Sequence, residues 1–179
     1  MKLDHTTPRL TSVSLYLLLR RHGLLPVSLG EDGLQRAIAA TAANARFTVV
    51  TEDGGVVASV LTYQLEPGVL GVQWIPEMKG LNKNRPALWA LSDELREFWF
   101  RDGVRRIEAR VPKSRIQTIK ALKTMGFRQE TTDHGLRMAV DYGKGFEAFI
   151  VLGLLESDPV HKHDSCLNIE PVGVGHGHE

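Results

Sequence analysis

Several marks of specialised proteins are scarce in this sequence. Cys166 is the only cysteine in 179 residues. No internal disulfide can form, and no oxidising compartment is required. The net charge is +1, so there is no surplus of one sign to attract nucleic acid or an anionic membrane. No apolar run reaches the roughly 18 residues that span a bilayer. The first ten residues, from Met1 to Leu10, hold no apolar core followed by a small-residue cleavage site. These absences predict a cytoplasmic chain without a nucleic-acid or membrane partner. There is no internal repeat. Hydrophobic residues make up 42% and charged residues 24%, which suits an ordinary folded domain.

Turns and stops divide the chain into elements. Pro8 to His22 is leucine-rich and reads as a helix stopped by Gly23. Asp32 to Ala43 reads as a second helix. Arg46 to Thr51 and Val56 to Leu65 read as strands joined by the hairpin signal Asp53-Gly54. After the turn Glu66-Pro67-Gly68, Val69 to Ile75 is nearly all apolar, as in a central strand. Arg85-Pro86 opens a long helix carrying Leu88, Leu91, Leu95 and Phe98, with Gly103 as its stop. Val104 to Val111 alternates as a strand. Ser114 and Gln117 suggest a capping box for a fourth helix, closed by Gly126. Phe127 to Thr132 and Leu136 to Tyr142 read as a last hairpin, with His134 solvated at its tip. Phe146 to Leu155 fits helix or strand, and we lean to helix. Lys2 to His5 offers a short first strand. The order implies an α/β fold, with a mixed, mostly antiparallel sheet flanked by helices. We expect a main domain over 1–142, an extension packing on it over 143–155, and a His/Gly-rich tail over 156–179.

Pro76 to Ala87 is the segment with chemical promise. A loop entering a helix presents free backbone N–H groups at the positive end of the helix dipole, which together suit a phosphate. Lys79, Lys83 and Arg85 add positive charge. Asn82 and Asn84 tolerate left-handed backbone but add bulk facing a ligand. A bland reading is a basic surface loop with Asn84 capping the helix behind it. In the tail, His161, His163, Cys166, His176 and His178 are chemically able to ligate a metal, but their spacing fits no zinc pattern, so no metal is expected. Trp74, Trp89 and Trp99 read as core residues, with one of the last two partly exposed.

The order of elements resembles the GNAT fold, the superfamily of acetyl-CoA-dependent N-acetyltransferases. Two stretches carry the resemblance. Pro76-Glu77-Met78-Lys79-Gly80-Leu81-Asn82-Lys83-Asn84 is similar to the family loop Pro-Glu-Tyr-Arg-Gly-Lys-Gly-x-Gly, with Asn at both late glycine positions. Ile119, Leu122, Met125, Gly126 and Phe127 keep the apolar frame and Gly-Phe end of the family's later helix. Arg115 stands for an Asn there, and Leu122 for a Tyr. The resemblance implies acetyl-CoA as cofactor, held by Trp74, Ile75, Lys79, Gly80, Asn82, Asn84 and Arg85. It also implies direct transfer of acetyl to an amine on a small molecule or peptide. The family's base is often a glutamate near the central strands, so Glu77 is the catalytic candidate, with Glu66, Glu108 and Glu130 as alternatives; Glu77 also reads as a plain exposed loop carboxylate. Leu122 cannot protonate a thiolate, which leaves Tyr63 or Tyr142 as substitutes.

A second likeness is to the small GNAT-like internal virion proteins of short-tailed phages, over Ile107 to Gly126. It implies an inactive structural protein with protein-assembly partners, located in the host cytoplasm or the virion. The two readings differ in one structural respect. An enzyme needs an open V between strands 69–75 and 104–111, whereas in a scaffold that space is filled by 146–155 or by the tail.

Overall fold

A computed structural model describes residues 2–4, 11–44, 46–52, 55–141 and 145–159. The eight strands are β1 (Lys2–Asp4), β2 (Arg46–Glu52), β3 (Gly55–Glu66), β4 (Val69–Pro76), β5 (Arg106–Pro112), β6 (Arg128–Gln129), β7 (Leu136–Asp141) and β8 (Phe146–Leu155). The four helices are α1 (Ser12–Arg21), α2 (Gly30–Asn44), α3 (Arg85–Trp99) and α4 (Ile116–Thr124). Single 3-10 turns lie at Val27–Leu29 and Leu81–Lys83. The strands form one sheet in the order β1-β2-β3-β4-β5-β8-β6, with β7 also on β8. Among the described strands only β4 and β5 run parallel. This is the mixed, mostly antiparallel sheet that the sequence predicts.

The helices cover both faces. Leu15, Leu19 and Leu24, with Ile38 of α2, pack on Leu61 and Ile75 on one face. On the other face α3 lays down Leu88, Leu91 and Leu95, each with no exposed surface, beside Trp99 and α4's Leu122. Truncating one such leucine to alanine costs about 2–5 kcal/mol. Asn84 caps α3 by accepting from the Ala87 N–H at 3.2 Å, and Pro86 sits in the first turn, where its missing N–H is no loss. Trp74 and Trp99 are buried and Trp89 is half-buried.

Four expectations change. Phe146–Leu155 is a strand, not a helix. It pairs with β5 along seven residues and with β6 and β7 on its other edge. A strand buried on both faces needs no alternation, so its apolar run looks like a buried helix. The sheet therefore extends to Leu155. Second, β6 and β7 are not a hairpin; each pairs with β8, β6 at Leu152 and Gly153, β7 between Phe146 and Phe149. Third, Ser114 does not cap α4. Arg115 holds the cap position without a side-chain bond, while Ser114 donates from its backbone N–H and Oγ to the Glu147 carboxylate. Fourth, α1 begins at Ser12, capped by Thr11 in extended backbone; Pro8 to Leu10 lie outside the described residues. The Asp53-Gly54 turn, Tyr142 and the His/Gly-rich tail from 160 onward lie outside the described residues. No helix among the described residues is long and apolar enough to cross a membrane. They contain no cluster of three His, Cys, Asp or Glu able to hold a metal ion.

Candidate active site

The parallel ladder between β4 and β5 is short. It pairs Val69 with Arg106, Leu70 with Ile107 and Gly71 with Glu108, and then ends. β4 runs on to Pro76 and β5 to Pro112 without pairing further. β8 stays on the far edge of β5 and β3 on the far edge of β4. The two strands thus splay apart beyond Gly71. Alternate backbone N–H groups over 72–75 turn to an edge that has no strand partner among the described residues. Trp74 and Ile75 lie on this edge, the Trp74 side chain buried on the α3/α4 face and Ile75 on the α1/α2 face. β8, the strand expected to distinguish an open V from a filled one, does not enter the splay.

Glu77 sits at the open end of β4. The N–H groups of Glu77 and Met78 both donate to the Val57 carbonyl, at 3.0 and 2.9 Å, which pins the chain as it leaves the strand. The carboxylate is only 10% exposed, so Glu77 is no exposed loop residue. Its Oε1 lies 3.2 Å from His22 Nε2 and accepts from Ser59 Oγ at 3.3 Å. Its Oε2 is 3.5 Å from the exposed Arg21 guanidinium. An ionised carboxylate only accepts, so His22 Nε2 carries a proton in this pair. His22 is the residue that caps the C-terminal end of α1, 55 positions from Glu77 in sequence. Sequence reading missed it. Its one available signal was its place beside the helix stop at Gly23.

The alternative bases are placed elsewhere. Glu66 is exposed at the end of β3. Glu108 and Glu130 share the Arg106 guanidinium, and Glu108 also accepts from Arg110 at 2.7 Å. Burial acts to raise the Glu108 carboxyl, but the bonds from Arg110 and Arg106 together hold it below its ordinary value. Tyr63 lies over Gly71 at the closed end of the splay. Burial pushes its phenol up, Arg110 partly offsets this, and Glu108 adds to it.

The loop after Glu77 departs from the sequence reading at Asn82, while Asn84 caps α3 as the plainer reading expects. Gly80 is left-handed at φ 86°, with no atom within 4 Å of where a Cβ would stand. Lys79, Lys83 and Arg85 are exposed around it. Asn82 and Asn84 are not left-handed, and neither simply fills ligand space. Asn82 turns inward, where its Oδ1 accepts the Trp74 indole N–H at 2.9 Å. Asn84, at φ −88°, spends its side chain on the Ala87 cap. Within the loop, Leu81 N–H donates to Met78, Lys83 N–H to Gly80 and Asn84 N–H to Leu81. Several backbone N–H groups of the loop are therefore already satisfied. Leu81 itself is fully buried among Trp74, Ala121 and Leu122.

No known protein-family profile matches the chain, and no curated protein does. Solved structures do. One is a spermidine N-acetyltransferase chimera from Vibrio cholerae, with a TM-score of 0.61 at 15% identity, over 88% of this chain and 98% of that one. The fold is that of the GNAT acetyltransferases. A probable GNAT-family acetyltransferase from Chromobacterium violaceum aligns at a TM-score of 0.56 and 21% identity, over 82% of this chain and 80% of that one. The Campylobacter jejuni N-acetyltransferase PseH, in complex with acetyl coenzyme A, aligns at 0.52 and 16% identity over 87% and 99%. The imidazole beside Glu77 and the inward Asn82 are features of this chain's own geometry.

Proposed function

We propose that this chain is an N-acyltransferase that moves an acetyl group from acetyl-CoA directly to an amine. The observation that carries the reading is the Glu77–His22 pair, largely buried, at the open end of the β4/β5 splay. Solved neighbours with the same fold are named as acetyltransferases, one of them in complex with acetyl coenzyme A and one acting on spermidine.

The loop fits an anion in part. Open space at Gly80, three exposed cations and the α3 N-terminus favour a pyrophosphate there. The internally bonded N–H groups leave fewer donors than a glycine-rich loop would. We assign Lys79, Gly80, Lys83 and Arg85 to the pyrophosphate, and the free edge of β4 at Trp74 and Ile75 to the acyl group. When bound, the coenzyme supplies the activated thioester. Glu77 and His22 take the proton released as the amine attacks; a C–N bond forms, the C–S bond breaks, and the thiolate is protonated from solvent. Leu122, buried and apolar, holds no proton for that step. The acceptor is an amine on a small molecule or a peptide, without a nucleic-acid partner.

Calorimetric titration with acetyl-CoA tests this reading. Heat and thermal stabilisation are expected with the full chain and are lost in Gly80→Trp. No binding at millimolar ligand sinks it.

One set of observations favours a second reading, a non-enzymatic GNAT-fold structural protein such as a phage virion component. Leu81 fills the core beside Leu122, Asn82 is committed to Trp74, and the loop bonds to itself. It predicts no response to acetyl-CoA and co-purification with a large assembly. A clean, active monomer would exclude it.

A further inference from the structure

The end of α1 is closed with unusual completeness. Gly23, left-handed at φ 60°, donates to Arg20 O at 3.1 Å, and Leu24 N–H donates to Leu19 O at 2.8 Å. Those two bonds make a Schellman end, and Leu19 and Leu24 share the apolar cluster beneath it. The motif leaves the carbonyls of His22 and Gly23 pointing outward. Both are taken by one guanidinium: Arg115 Nη2 donates to His22 O at 3.0 Å and to Gly23 O at 2.7 Å.

Arg115 belongs to the opposite side of the splay. It follows β5 at the cap position of α4, and its N–H donates to Pro112 O. The α1 corner is therefore held twice. On the β4 side the His22 ring meets Glu77, and on the β5 side the His22 and Gly23 carbonyls meet Arg115. The corner bridges the open end of the V, and the tether on the β5 side acts on the very residue whose imidazole faces Glu77. A guanidinium presents its donors in a fixed plane and stays charged, which suits it to hold two adjacent carbonyls.

We propose that Arg115 is a positioning residue: it fixes the α1 corner across the open end of the splay and so keeps the His22 imidazole on Glu77. Its importance to catalysis rests on the acyltransferase reading; its hold on His22 does not. Arg115 acts through His22, with no contact to substrate required.

The test uses the full chain and its Arg115→Ala and Arg115→Gln variants. The readouts are the ring nitrogen spectrum of His22, assigned with His22→Gln, and amide exchange at Leu24. In the parent protein neutral His22 shows the Nε2–H tautomer dictated by Glu77. In Arg115→Ala the ring moves toward the mixture of tautomers of a free imidazole, and Leu24 exchange quickens by about tenfold, as expected for losing charged bonds to carbonyls. Methyl signals of Leu122, on the other sheet face, stay in place. Arg115→Gln, which keeps one donor group, gives intermediate values. Parent-like tautomer and exchange in either variant would overturn the proposal, so a failure of Arg115→Ala to fold leaves Arg115→Gln to decide. Where acetyl transfer is measurable, kcat falls with little change in KM for acetyl-CoA; an unchanged kcat with a shifted tautomer refutes the catalytic part. If the chain binds no acetyl-CoA, the acyltransferase reading fails alone, and the tautomer and exchange data still decide the role of Arg115.

Discussion

Replacing Asn82 and Asn84 by glycine, one at a time, restores the residue types of a phosphate-binding loop, and the structure makes the outcomes unequal. Both variants carry the same kind of unfolded-chain penalty for glycine, about 0.5–1 kcal/mol. Asn84 is an N-cap, and Asn→Gly at such a site costs only a few tenths of a kcal/mol more. Asn82 is different. Its Oδ1 is the acceptor for the indole of Trp74, which is 5% exposed. Glycine there strands a buried donor, at about 1–3 kcal/mol. The expected gap between the variants is thus about 2 kcal/mol, or roughly 4–8 °C in Tm for a chain of this size. Thermal and urea unfolding followed by circular dichroism measure it. Asn84→Gly also frees the Ala87 N–H, so any acetyl-CoA affinity rises in that variant. Equal stability of the two, within about 0.5 kcal/mol, would refute the claim that Asn82 serves the core and not a ligand.

Two further outcomes follow from the sheet. A Cβ on Gly71 would stand 2.5 Å from the Tyr63 ring, so Gly71→Ala forces the ring aside and costs about 1–3 kcal/mol; adding Tyr63→Ala makes the pair less destabilised than the sum, which a double-mutant unfolding cycle reads. Glu108 titrates lower when folded than its ordinary value of 4.5, so it contributes stability that is present above that value and lost as pH falls through its folded value. Unfolding midpoints from pH 6 downward should show that loss in the parent and a flatter acid limb in Glu108→Gln.

Local sequence carried most of the element order because its punctuation is chemical. Gly23, Pro86 and Gly126 mark helix ends through backbone geometry, and each element lies beside its mark. Phe146–Leu155 was misread because a strand buried on both faces leaves no period to detect. Its place between β5 and β6 is a long-range fact that no local window contains. The candidate site divides the same way. The Pro-Glu entry marks Glu77 as a candidate, and composition marks the basic loop. His22 and Arg115 were not legible, because their roles arise from bonds to residues 55 and 93 positions away. The inward turn of Asn82 depends on where the Trp74 indole comes to rest, which only packing decides.

β8 also matters during synthesis. The strand that joins β5 to β6 and β7 is the last of the eight described strands to be made. Until residues near Leu155 leave the ribosome, β5 has a bare edge with seven unfilled pairing positions, and Ile107, Ala109 and Val111 lack their neighbours Leu154, Leu152 and Ile150. A nascent chain in that state exposes an apolar edge open to any extended segment nearby. A version cut at residue 142, where sequence alone suggests a boundary, would keep that state permanently and should be recovered as aggregate.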